Sequence, residues 1–130
     1  MGAKFLQEGN FIGFDTASGY TPALGDLVYV SGNNEVNKAS SASGSTAYPA
    51  IGMVFEFETG AGIATVVTDG IIKDAVTGGW TYGDEIYVGS TAGSLTNTKP
   101  SAVGTIVQMI GVAKNATDLM LTVESTVSVN

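Results

Sequence analysis

Glu56 and Glu58 stand two residues apart, a spacing that sets two carboxylates on one strand face. Their separation there is near the roughly 5–5.5 Å of a retaining glycosidase pair. Sharing one face, they do not flank a substrate, and the pattern reads as the solvated side of a half-buried strand. Asp69 with Asp74, and Asp84 with Glu85, could contribute to a calcium loop, but no Asp-x-Asp-x-Asp spacing supports one. Gly60-Ala61-Gly62 has phosphate-loop composition, yet no helix pattern follows to direct amides at an anion, so a hairpin turn is the expectation. Tyr20, Trp80 and Tyr82 could stack on a sugar, or Tyr20 and Trp80 could plug matching places in two repeats. Asn115-Ala116-Thr117 is a glycosylation sequon by pattern alone.

The missing residue types narrow the chemistry further. The 130 residues include no His, Cys or Arg, and all five basic residues are Lys. Thiolate chemistry, disulfides, the Ser-His-Asp triad and its Cys-His relatives are excluded. Zinc and copper lose their usual ligands, and proton transfer loses the side chain that titrates near neutrality. The expectation is a protein that is not an enzyme and carries no cofactor. A net charge of −7 argues against a phosphate backbone as partner. No apolar run approaches the roughly 20 residues of a membrane span. Met1-Gly2-Ala3-Lys4 passes straight into Phe5-Leu6-Gln7-Glu8-Gly9, which is not a signal-peptide pattern.

With 44% apolar residues, the chain is expected to fold as one soluble domain. Eighteen Gly and abundant Ser and Thr favour strands and turns. Leu27-Val28-Tyr29-Val30 is one short β run. Residues 51–57 alternate, with Phe55 and Phe57 on one face, and turn through 60–62 into a strand at 63–68. Asp69-Gly70 reads as a tight turn before Ile71-Ile72-Lys73. Residues 105–113 and 119–123 are two further strands.

An internal repeat organises these runs. Gly25-Asp26-Leu27-Val28-Tyr29-Val30 returns as Gly83-Asp84-Glu85-Ile86-Tyr87-Val88, displaced by 83 − 25 = 58. Ile51-Gly52-Met53 returns as Ile110-Gly111-Val112, displaced by 111 − 52 = 59. Tyr20-Thr21 and Trp80-Thr81 lead into the two Gly-Asp turns. The fold expected is all-β: a single β-barrel or β-sandwich built from two sequence-related modules with an extended N-terminal arm. Residues 1–130 form one domain, with the arm at 1–10 and modules at 11–68 and 70–126. The Ser-rich stretch 39–48 reads as a low-complexity loop with little to give a core. Three of the five Phe fall in the first fourteen residues, so the N-terminal segment covers a barrel end or docks on a neighbour. Phe5, Leu6, Phe11 and Phe14 are the candidate contact residues.

The order of the landmarks resembles a known family. Lys4-Phe5-Leu6-Gln7-Glu8-Gly9 with Ile12, the Gly25-Asp26 strand, Val67-Thr68-Asp69-Gly70-Ile71, Gly83-Asp84-Glu85-Ile86-Tyr87 and Ile110-Gly111-Val112-Ala113 span nearly the whole chain. Together they resemble the small β-rich capsid decoration, or cement, proteins of tailed bacteriophages; the Ser-rich loop departs from that compact pattern. The resemblance implies a structural virion protein, made in the host cytoplasm and placed on the outer capsid surface, with the major capsid protein and its own copies (a homotrimer) as partners. It transfers no catalytic residue, cofactor, nucleic-acid or membrane contact. The alternative is a tail-associated or receptor-binding β module recognising host surface glycans, which requires Trp80, Tyr82 or Tyr20 to be exposed.

Overall fold

The computed structural model describes residues 5–58, 60–124 and 126–130, with residues 5–8 described by backbone alone. Among the described residues the fold is all-β. The first module contains β1 (Phe5–Thr16), β2 (Leu27–Gly32), β3 (Glu35–Lys38), β4 (Ala50–Glu58) and the first half of β5 (Ile63–Lys73). The second contains the rest of β5, β6 (Glu85–Val88), β7 (Leu95–Thr96), β8 (Ile106–Val107), β9 (Met109–Ala113), β10 (Leu119–Thr122) and β11 (Ser128–Val129).

The pairing order β1-β3-β2-β4-β5, with β1 returning to β5, closes a five-stranded barrel. So few strands leave a narrow interior, and small residues fill it: Val28, Val36, Val54, Ala64 and Val66, with Ala17 and Tyr20 beside them. The second module continues from β5 as β10-β9-β6-β7 and remains an open sheet. A larger core joins the two, uniting Leu27, Met53, Val67 and Ile72 with Trp80, Ile86, Ile110, Leu119 and Leu121.

Hydrogen bonding reproduces the repeat. Leu27, Val28 and Tyr29 pair with Met53, Gly52 and Ala50, with a bulge after Val28. Glu85, Ile86 and Tyr87 pair with Val112, Gly111 and Met109, with a bulge after Ile86. Gly25 N donates to Val54 O (2.7 Å) and Val54 N to Asp26 O (2.8 Å); Gly83 N donates to Ala113 O (2.8 Å) and Ala113 N to Asp84 O (2.9 Å). The repeated glycines take φ of 91° and 86°, where a side chain would strain the backbone. Each Asp carboxylate reaches back rather than forward: Ala23 N donates to Asp26 Oδ2 (3.0 Å) and Thr81 N to Asp84 Oδ2 (2.9 Å).

Several local readings change in three dimensions. Asp69-Gly70 is not a turn, because β5 runs through it without a break. Gly70 at φ 141° instead accompanies a change of neighbour, from β4 at 63–67 to β10 at 69–72. Residues 105–113 divide into β8 and β9 on either side of Gln108, and β8 pairs with β11. Phe55 is the extra residue of a bulge, so it packs on the larger core while Phe57 packs on the barrel core.

The Ser-rich segment is a tie between modules, not a loose loop. Ala39 is fully buried in the larger core and Ser41 is buried too. Gly93 N donates to Ala39 O (2.7 Å), Ser41 N to Gly89 O (3.0 Å), Ile106 N to Ser41 O (2.9 Å) and Gly44 N to Gly104 O (3.2 Å). Small side chains let these backbones approach, which polar composition alone does not reveal.

Candidate functional site

Of the arm read at 1–10, residues 1–4 lie outside the described residues, and residues 5–10 run on into 11–16 as one continuous strand. Phe5 to Asp15 pair antiparallel with β5, from Phe5 opposite Lys73 to Asp15 opposite Ile63. On its other edge, among the described residues, β1 meets a strand only at Asp15 and Thr16, which pair parallel with Glu35 and Val36 of β3. In the second module the corresponding strand is the last half of β5. There the matching edge is covered by residues 5–9 of β1, so the second module does not close as the first does.

The four candidate contact residues therefore part company. Phe11 is 60% exposed. Phe14 is half-buried against the barrel core, which commits part of its ring to the fold. Phe5 and Leu6 hold strand positions opposite Lys73 and Ile72, and their side chains lie outside what is described. Ile12, absent from the candidate set, is 51% exposed. Alternation along 11–14 could not have flagged it, since period two sets Ile12 on the face of Phe14 and opposite Phe11. Asn10 fixes the centre of this strand: its Nδ2 donates to Asp69 Oδ1 (3.0 Å) and Oδ2 (3.2 Å).

The possible stacking platform is not assembled. Trp80 and Tyr20 are buried, in the larger and the barrel core respectively, and Tyr82 alone is exposed, at 79%. Tyr20 and Trp80 also do not hold matching places, being five and three residues before their Gly-Asp glycines. Tyr20 OH donates to Asp26 Oδ2 (2.8 Å), and Lys38 Nζ lies 5.9 Å from the Tyr20 ring centroid. Burial, then the Asp26 carboxylate, pushes the Tyr20 phenol far above its ordinary range.

The carboxylates are likewise structural in their contacts. Glu56 and Glu58 are both exposed along β4. Glu58 borders a depression of about 80 Å³ with Thr16, Pro22 and Ile63, and Glu56 is not in its lining. Among the described residues no group of three or more carboxylates could hold a metal ion. Asp84 accepts from Thr81 N and Asn97 Nδ2, and these bonds, the first foremost, hold its carboxyl below the usual range. Tyr87 OH donates to Glu85 Oε1 (3.0 Å).

Asp118 closes the turn between β9 and β10. Its carboxylate accepts from Asp74 N (3.0 Å), Asn115 Nδ2 (3.0 Å) and Thr117 Oγ1 (2.9 Å). The sequon Asn115 is occupied in the same turn, its Oδ1 accepting from the N–H groups of Thr117 and Asp118. The Asp74 amide first, then Asn115, with Thr117 and Lys73 adding to them, lower the Asp118 pKa. A carboxyl depressed on folding stabilises the fold above its unfolded value, about 3.9, and that contribution fades as pH falls through the folded value. Urea midpoints measured from pH 5 to pH 2 should therefore fall more steeply for the wild type than for Asp118→Asn. Parallel curves would show that Asp118 does not carry this acid limb.

Open grooves also mark the surface. One of about 330 Å³ lies where the modules meet, lined chiefly by Leu24, Ala75, Val76, Gly93 and Leu95. Another, of about 320 Å³, is rich in hydroxyls, with Ser90, Thr96, Thr98 and Lys99. Compared with family models, with curated proteins and with solved structures, the chain matches none.

Proposed function

We propose that this is a structural virion protein: a decoration protein that binds the outside of a tailed-phage capsid and braces the shell without covalent bonds. The reading rests on the resemblance of the landmark residues to that family. The observation that carries it is the solvent-facing pair Phe11 and Ile12 on a strand hydrogen-bonded into the barrel wall. Two large apolar side chains on rigid backbone offer contact area at little ordering cost. Many weakly bound copies can then hold a shell together, since binding only the assembled state raises that state's stability. The partner is the major capsid protein, and the place of action the outer shell surface after synthesis in the host cytoplasm.

Co-sedimentation with stripped phage heads tests this. The wild type should saturate at a fixed ratio to the major capsid protein and make heads harder to burst on heating. The double change Phe11→Ser, Ile12→Ser should leave melting intact and weaken head binding at least about tenfold, as expected for losing two partly buried apolar contacts. Full occupancy by the variant would refute the contact assignment. Recovery of wild type on tails or host cells, with glycans quenching tyrosine or tryptophan emission, would replace the reading with the receptor-binding one, for which Tyr82 is the exposed ring.

A further inference from the structure

Among the described residues, the outer edge of β1 meets no strand from Glu8 to Phe14. From Glu8 to Phe14 the strand is regular: of its two bulges with β5, one places the extra residue at Gln7 and the other places it on β5, at Thr68. Sheet edges are commonly blunted by Lys, Pro or an inward bulge. Residues 8–14 contain none of these on the β1 side, and their one charge is Glu8. The corresponding edge in the second module is covered by an antiparallel strand, residues 5–9, so this fold already completes that edge once within the chain.

We propose that β1 pairs antiparallel with β1 of a second copy about a two-fold axis at Phe11, in place of the homotrimer that the family resemblance implies. The window 8–14 is centred on Phe11, and that register sets Phe11 opposite its own mate, Asn10 opposite Ile12, Gly9 opposite Gly13 and Glu8 opposite Phe14. Directly opposed residues share a sheet face, so the two Phe11 side chains form a cross-strand aromatic pair, worth about 0.2–1 kcal/mol in such settings. A shift that brought Glu8 opposite Asp15 is disfavoured, because Asp15 already pairs with Glu35 of β3 on that edge. A two-fold pair uses the same edge on both chains and closes, leaving no strand to propagate a fibre. The paired sheet presents two Phe11 on one face, so the pairing doubles the apolar surface proposed above to meet the shell. It stands on its own geometry and does not require the shell.

Light scattering of the purified protein reads the pairing directly. The wild type should have a mass of 2 × 13.2 = 26.4 kDa and dissociate on dilution. Phe11→Lys and Phe11→Glu each place like charges on the axis and should each run as a 13.2 kDa folded monomer. Mixing the two should restore the 26.4 kDa species, as Lys and Glu then face each other. Backbone amides within 8–14 should gain hydrogen-exchange protection with concentration in the wild type alone. A wild-type monomer at high concentration, a 3 × 13.2 = 39.6 kDa trimer, or a dimer indifferent to both substitutions would overturn the proposal. No heads enter this experiment, so its failure leaves shell binding open, and failed head binding by a proven dimer would refute only the function.

Discussion

Replacing Gln108 by Leu is expected to destabilise the protein by about 3 kcal/mol and lower its melting temperature by about 10 °C. The side-chain amide is buried and acts as a missing stretch of strand between the modules. Its Oε1 accepts from Ala50 N (2.7 Å), and its Nε2 donates to Ala50 O (2.8 Å) and Glu124 O (2.8 Å). Leu fits the volume but leaves one backbone donor and two acceptors without this partner, at roughly 1–3 kcal/mol for each group kept from water. An unfolding entropy of about 2.1 cal/mol/K per residue converts the lower end of that sum into the stated shift. Gln108→Glu holds the shape while replacing the donating amide with an oxygen facing two carbonyls, so it should cost at least as much. Calorimetry or thermal circular dichroism decides the matter. A shift under about 3 °C for Leu would mean that the three backbone groups find other partners.

Gly52→Ala and Gly111→Ala should each cost about 3 kcal/mol or more, and by similar amounts. A methyl at Gly52 would lie inside contact distance of the Val67 carbonyl on β5; at Gly111 it would collide in the same way with the Met120 carbonyl on β10. The obstacle is backbone in both cases, so no rotamer change relieves it, and the strands must separate or shift register. Gly13→Ala is the control, since open space surrounds that position. Denaturant melts of the three variants should show two large losses and one change within about 1 kcal/mol. Wild-type stability at either core position would disprove the close strand crossing on which the repeat register depends.

The two glycines also illustrate how local sequence carries structure. Ile51-Gly52-Met53 and Ile110-Gly111-Val112 stand out as a repeat before any coordinates, as do the paired Gly-Asp turns. Whether the need is a positive φ in the turn itself or a missing Cβ against a neighbouring strand's carbonyl, glycine answers it and leaves a residue-specific mark. Gln108 left no such mark. A lone polar residue inside an apolar run reads as part of one strand, and its partners lie 58 residues away at Ala50 and 16 residues away at Glu124. The Ser-rich segment misled for the same reason, because its small residues serve a close backbone approach to segments that come later in the chain.

The contact candidates divide along that line as well. Clustered Phe residues drew attention to the N-terminal segment, yet sequence treated Phe11 and Phe14 alike. Closure against β5 decides between them by packing Phe14 on the barrel core and leaving Phe11 in solvent, with Ile12 beside it. Asp69-Gly70 is a comparable case, since the flexibility that makes a turn also lets a long strand bend from one neighbour to another.

By itself, then, the sequence determined the all-β class, the two modules, their matched turns and the absence of His, Cys and Arg chemistry. Those follow from residue types and spacings that act over a few bonds or through strand period. Only tertiary structure decided that one module closes and the other stays open, that β5 serves both, and that β1, among the described residues, keeps an unpaired edge over 8–14. Those outcomes depend on which distant strands compete for the same hydrogen-bonding edge, and no local pattern records the winner.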